Sequence, residues 1–172
     1  MARRSPSSTT PATFADSVRL WNPFLMSDLR GEPAVMGYAG DVSPADAYVG
    51  LQADAEAVLV DVRTSAEWSY VGCPDLSQIR RRVILLEWQR FPDGAVNGRF
   101  VEELRREGVG EGVPIYFLCR SGARSAAAAA VVTVAGLGPA YNVSDGFEGH
   151  LGPDGHRDVT GWKVAGLPWR QG

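Results

Sequence analysis

Cysteine and histidine are scarce in this chain, and each scarcity removes a class of protein. The 172 residues include 2 cysteines, Cys73 and Cys119, and 2 histidines. Two thiols cannot build a disulfide framework, and they point to a reducing compartment in which a free thiol persists. No C-x2-C or H-x3-H spacing occurs, so neither a metal site nor a cofactor is expected. Long apolar runs are missing as well. The longest, near Ile115–Leu118 and Ala126–Val132, fall far short of the roughly 20 residues that a membrane-spanning helix needs. Nor is there a surplus of positive charge: Lys+Arg 17 against Asp+Glu 20 gives −3, which argues against a nucleic-acid partner. What remains is 45% hydrophobic and 22% charged, the balance of an ordinary globular protein with one core.

The first residues read differently from the rest. MARRSPSSTTPAT is rich in Ser, Thr and Pro and carries no acid before Asp16. It has no apolar segment of the kind an export signal requires, so a cytoplasmic protein is expected. Asp16, Asp28 and Glu32 argue against a transit peptide. Residues 1–37 read as a disordered or loosely packed extension and residues 38–170 as the folded domain. Met36 is an alternative start of translation.

From Met36 onward strands and helices alternate. Ser43-Pro44-Ala45-Asp46 marks a helix start, with Ser as cap, Pro at the first position and an acid at the third. Ala45, Tyr48, Val49 and Gln52 follow it at helical spacing. Ala57–Val62, Arg82–Glu87, Val113–Leu118 and Ala140–Val143 read as short buried strands. Asn97 is expected to cap a helix running to Glu107, with Phe100, Val101 and Leu104 on one face and Gly108 as its stop. Ser125–Ala135 reads as an alanine-rich helix ended by Gly136. Such alternation predicts a mostly parallel α/β sheet with helices on both faces.

The sharpest feature is Leu118-Cys119-Arg120-Ser121-Gly122-Ala123-Arg124-Ser125, between an apolar strand and a helix. A cysteine at the carboxyl end of a central strand stands where open α/β sheets bind ligands. Gly122 and small neighbours permit a sharp turn in which backbone N–H groups converge on an anion at the helix start. That surrounding, with Arg120 and Arg124, favours a thiolate that is nucleophilic near neutral pH. The alternative is a small buried hydrophobe at a strand end, which two arginines in so short a window argue against.

This segment resembles the active-site loop of the rhodanese (sulfurtransferase) family. Val60-Asp61-Val62-Arg63-Thr64-Ser65-Ala66-Glu67-Trp68 is similar to that family's D-V-R-x-x-x-E-[WFY] element. Asn142-Val143-Ser144-Asp145-Gly146-Phe147-Glu148, then Gly161-Trp162 and Gly166-Leu167-Pro168-Trp169, resemble its closing strand, its turn and its W…G-x-P ending. The matches run from about Tyr38 to Trp169. The resemblance implies a three-layer rhodanese-like domain in which Cys119 takes a sulfane sulfur as a persulfide and passes it to cyanide or a thiol, on a small molecule or a protein. It implies that the N–H groups of Arg120, Ser121, Gly122, Ala123, Arg124 and Ser125 cradle the persulfide. Arg120 and Arg124 would attract an anionic donor such as thiosulfate, and Asp61 and Arg63 would brace the loop. Arg63 and Glu67, four apart, are expected to pair as the chain turns.

Two rivals stand beside this reading. Arsenate reductases and cysteine phosphatases use the same cradle, but the phosphatases place five residues between Cys and Arg. Here four separate Cys119 from Arg124, a smaller loop suited to one sulfur atom. A non-catalytic binding module would have no need for this charge around a thiol. The sequence also departs from the family's G-H-I continuation: Gly72-Cys73-Pro74-Asp75-Leu76 puts Cys73 there, either as a resolving thiol for a persulfide or as a packing residue. Arg80–Arg82 read as a solvated loop. Trp88 and Phe91 flank the site or fill the core, His150 and His156 read as loop histidines, and Trp162 and Trp169 as apolar plugs holding the C-terminal segment.

Overall fold

The computed structural model describes residues 37–171. The expectations for residues 1–36, the extension and the start at Met36, lie outside the described residues.

The strands are β1 (Gly40–Val42), β2 (Val58–Asp61), β3 (Cys73–Pro74), β4 (Val83–Leu85), β5 (Glu111–Leu118), β6 (Gly138–Val143) and β7 (Trp169–Arg170). The helices are α1 (Pro44–Ala53), α2 (Ser65–Val71), α3 (Phe100–Arg106) and α4 (Ala123–Val134). A five-stranded parallel sheet has the order β1-β6-β5-β2-β4, and β3 and β7 pair antiparallel in a separate two-stranded sheet. β5 is therefore central, flanked by β6 and β2. Its Ile115, Phe117 and Leu118 are buried because both faces are covered, as a parallel sheet requires.

Side chains alternate between those faces. Leu59 and Leu118 join Ala47 and Leu51 of α1, Val143, Phe147 and Trp162 in one buried cluster. Phe117 points the other way, 6.0 Å from Phe100 of α3, which in turn meets Trp88 edge-on at 5.2 Å. Helices thus sit on both faces, the three-layer α/β arrangement expected.

Local signals explain most element boundaries. The Ser43 hydroxyl accepts from Asp46 N at 3.1 Å, capping α1. The face that α1 buries differs from expectation. Pro44, Ala47 and Leu51 are buried, while Ala45 and Gln52 are exposed and Val49 is 60% exposed. Helix α1 packs closely on the sheet: a Cβ on Gly50 would stand 2.1 Å from Tyr116 Oη. Helix α3 buries Phe100, Val101 and Leu104 as expected, but Asn97 is not its cap. The helix begins at Phe100, and Asn97 instead accepts from Arg99 N and donates to Glu103 at 2.7 Å. Helix α2 was not among the expected elements. Thr64 and Glu67 form a reciprocal capping box that starts it: the Thr64 hydroxyl accepts from Glu67 N, and the Glu67 carboxylate accepts from Thr64 N at 2.9 Å.

Candidate active site

β5 ends at Leu118, and the chain then makes the turn that carries Cys119. Cys119 is buried, and the backbone around it is held from two directions. Cys119 O accepts from Phe147 N at 2.7 Å, and Arg120 O accepts from Glu148 N at 3.0 Å and Gly149 N at 3.1 Å. On the other side Val62 N donates to Leu118 O at 2.8 Å. Gly122 makes the turn possible. Its φ of +101° is a conformation that L side chains rarely adopt, and a Cβ there would lie 2.1 Å from Ser144 O. With the turn so wound, Gly122 N–H donates to Cys119 Sγ at 3.1 Å. Ser125, fully buried in the first turn of α4, brings its hydroxyl within 3.2 Å of the same sulfur. The start of α4 adds its own positive field at this point.

The charged residues sort only partly as expected: Asp61 and Arg63 do form a pair at the end of β2. Arg63 and Glu67 do not pair. Arg63 binds Asp61: Nε lies 2.9 Å from Oδ1 and Nη2 2.6 Å from Oδ2, both side chains fully buried. Nη2 also donates to Gly72 O at 2.7 Å, and the guanidinium lies 4.0 Å over the Phe147 ring. The reason is geometric. Asp61 ends β2 beside Leu118, and Arg63, two residues on, can turn back onto it, whereas the capping box rotates Glu67 away. Glu67 receives Arg124 instead, Nη1 at 2.8 Å and Nη2 at 2.6 Å, a bidentate bridge from α2 to α4. Burial opposes ionisation of Glu67, but bonds from Arg124 and Thr64 outweigh it and hold its carboxyl down at about 2.

A depressed carboxyl contributes stability above its ordinary range and loses it on acidification. Glu67→Gln is therefore expected to cost on the order of 2 kcal/mol near neutral pH, a figure discounted because about a fifth of each side chain stays in solvent. Urea unfolding at several pH values should show the gap to wild type closing as pH falls from 4.5 toward about 2. A gap independent of pH would mean that the ion pair is not its source.

Among the remaining loop residues, Arg120 and Ala123 are exposed and Ser121 is half-buried. Among the described residues the Arg120 side chain makes no hydrogen bond or ion pair. Cys73 lies on β3, half-buried, its Sγ 3.9 Å from Trp68 O, and burial and then the Asp61 charge push its thiol up. A raised thiol is a slow nucleophile, which favours the packing reading of Cys73. His150 and His156 are exposed, His150 lying 3.6 Å from Asp145. Trp88 is buried in the core and Phe91 is 63% exposed. Arg82 pairs with Glu107 at 2.6 Å. Trp162 is fully buried and donates to Pro168 O at 2.9 Å, while Trp169 is partly exposed beneath Lys163. Among the described residues no three His, Cys, Asp or Glu side chains converge as a metal site would, and no helix is long and apolar enough to cross a membrane.

Asn142 and Asp41 were not singled out by their types or spacing. Asn142 Oδ1 lies 2.6 Å from Ser125 Oγ, and its Nδ2 donates to Asp41 at 2.8 Å. The one available signal was a polar residue inside the otherwise apolar strand AYNV.

A family model described as the STR4 middle domain matches residues 39–172. The crystal structure of Rv0390 from M. tuberculosis is 54% identical, covers 79% of this chain and 100% of that one, and has a TM-score of 0.73. An uncharacterized protein of Rickettsia conorii is 40% identical over 124 residues, 72% of this chain and 91% of that protein. Rhodanese-like domain-containing protein 4, chloroplastic, of Arabidopsis thaliana is 27% identical over 149 residues, 86% of this chain and 28% of that longer protein.

The chain belongs to the rhodanese-like family. The solution structure of the polysulfide-sulfur transferase homodimer from Wolinella succinogenes is also similar, at 26% identity and a TM-score of 0.53, covering 78% of this rhodanese-like chain and 80% of that one. The wider family to which this rhodanese-like domain belongs is thus of sulfurtransferase type.

Proposed function

We propose that this rhodanese-like domain is a sulfurtransferase that carries sulfur as a persulfide on Cys119. The observation that supports it most is the Gly122 N–H aimed at the Cys119 sulfur from 3.1 Å, at the carboxyl end of the central strand. A preorganised amide there stabilises negative charge on sulfur without reorganisation. In the first half-reaction the Cys119 thiolate attacks the outer sulfur of an anionic donor. With thiosulfate, the S–S bond of the donor breaks, its electron pair leaves on sulfite, and Cys119 holds the outer sulfur as a persulfide. In the second, cyanide or an acceptor thiolate attacks that outer sulfur, and the pair returns to Cys119 as thiolate.

Donor recognition divides between the two arginines. Arg124 is engaged by Glu67, so its charge is largely neutralised and its work is to hold α4 against α2. Arg120, exposed on the rim, is the cation available to an incoming anion. Polysulfide, the substrate named for the Wolinella protein, fits the same rim as thiosulfate does. The acceptor is a small thiol, cyanide or a protein thiol, the compartment cytoplasmic, and neither nucleic acid nor a membrane is a partner.

The test is the intact mass of the protein after thiosulfate or polysulfide treatment without reductant. Wild type and Cys73→Ser are expected to gain one sulfur atom, and Cys119→Ser none. Loss of two hydrogens, abolished by either substitution, would replace this reading with a Cys73–Cys119 redox couple. No mass change with either donor would remove both as donors.

A further inference from the structure

We infer that Asn142 is a positioning residue for Cys119: anchored by Asp41, its amide claims the Ser125 hydroxyl proton and leaves the serine to offer the sulfur a lone pair. This rests on Cys119 being the reacting thiol and adds to it the group that governs when that thiol ionises.

The argument is one of counting protons. Three acceptors surround Ser125 Oγ: Asn142 Oδ1 at 2.6 Å, Gly122 O at 3.0 Å and Cys119 Sγ at 3.2 Å. A hydroxyl has one proton to give. The Asn142 amide cannot turn over to relieve the competition. Its far side meets Asp41 Oδ1 at 2.8 Å, a carboxylate that only accepts and that also receives the Tyr38 hydroxyl at 2.8 Å. Nδ2 must therefore face Asp41, and Oδ1 must face Ser125. Two oxygens 2.6 Å apart repel unless a proton lies between them. Asn142 Oδ1 has none, so Ser125 supplies it.

Cys119 then reaches Ser125 by donating its own proton. The chain S–H to Oγ–H to Oδ1 is complete while the sulfur is a thiol, and each bond strengthens the next. Ionisation removes the first proton and leaves a serine lone pair against a thiolate. The serine can serve the thiolate only by deserting Asn142. The buried chain thus acts on the sulfur in opposition to the Gly122 amide.

The charged and titratable groups on the loop and on the elements that flank it are few. They include Arg120 in the loop, Arg124 on α4 with Glu67 from α2, the Asp61–Arg63 pair at the end of β2, Tyr38 and Asp41 at β1, and Asp145 beyond β6. All of them remain in Asn142→Ala, which removes the acceptor of the Ser125 proton together with the Nδ2 donor to Asp41.

The experiment is iodoacetamide alkylation of the full chain across pH, followed on the Cys119 peptide by mass spectrometry. Asn142→Ala is expected to move the rising limb about one pH unit lower, about tenfold more reactive thiolate at a given pH below the plateau. Asp41→Asn, which lets the amide turn over, should move it the same way by less. In a Ser125→Ala background, Asn142→Ala should add no shift. An unchanged profile in folded Asn142→Ala overturns the inference, and so does a shift that persists without Ser125. A merely structural asparagine would lower the urea midpoint and leave the profile in place. Should Asn142→Ala not fold, Asp41→Asn decides alone: an unchanged profile rejects the inference. Alkylation needs no sulfur donor, so its outcome is independent of whether Cys119 loads sulfur.

Discussion

Asp61→Ala is expected to remove about 3–5 kcal/mol from the stability of the domain. The carboxylate is fully buried and accepts from Arg63 through Nε, Nη2 and the backbone N, the last at 3.1 Å. Deleting it leaves a fully buried guanidinium with Gly72 O and the Phe147 ring as its remaining partners. An uncompensated charge is what makes such a deletion expensive. The attraction between the two ions is largely offset by the water both gave up. It follows that Asp61→Leu combined with Arg63→Met should recover much of the loss. Thermal unfolding is the measurement, and the single variant should melt roughly 10–20 °C lower. A single-variant loss below about 1 kcal/mol would mean that water enters this pair in solution and hydrates the lone arginine. The double variant separates the two ideas, because a hydrated pair would show no rescue.

Gly122→Ala is expected to lower sulfur transfer by about 100-fold or more, the loss typical of removing one preorganised donor. The methyl group would sit 2.1 Å from Ser144 O and 3.0 Å from Ser144 C, both backbone atoms that no rotamer change can move. The turn must open, and the amide that meets Cys119 Sγ opens with it. Gly155→Ala is the control. Its φ is also positive, at +81°, but nothing lies within 4 Å of the added carbon. It should cost about 1 kcal/mol of backbone strain and leave sulfur transfer at wild-type rate. Steady-state transfer from thiosulfate to cyanide, beside urea unfolding of both variants, checks the pair. Equal activity in the two would place the amide outside the reaction.

The sequence carried the frame of the fold in its longer elements. Val58–Asp61, Glu111–Leu118 and Gly138–Val143 were legible because a buried parallel strand is a run of apolar residues bounded by turn formers. β3 and β7 were not, since two residues have no period to read. Helix α2 shows a different obstacle. Its Thr64…Glu67 capping box stood in plain view, but Glu67 was expected to partner Arg63. Spacing of four suggests an ion pair only when both residues lie on one helix, and Arg63 precedes the helix altogether. The cysteine loop was legible as a candidate site because glycine, small residues and arginines coincide within seven positions. Its support was less so. Glu67 meets Arg124 across 57 residues, and Asn142 meets Asp41 across 101. Such long-range partners are set by the stacking of elements, which no local pattern encodes.

The β3–β7 ribbon ties together distant stretches of chain. Cys73 lies opposite Arg170 and Pro74 opposite Trp169, and Asp75 N donates to Pro168 O at 2.9 Å. The carbonyl of Gly72, one residue before this ribbon, is the one that receives Arg63 under the cysteine loop. A chain emerging from the ribosome therefore cannot close this ribbon until residues 168–170 have come out. Domains form as units during synthesis, and here Cys73 and Pro74 wait for the last strand of the fold to be made.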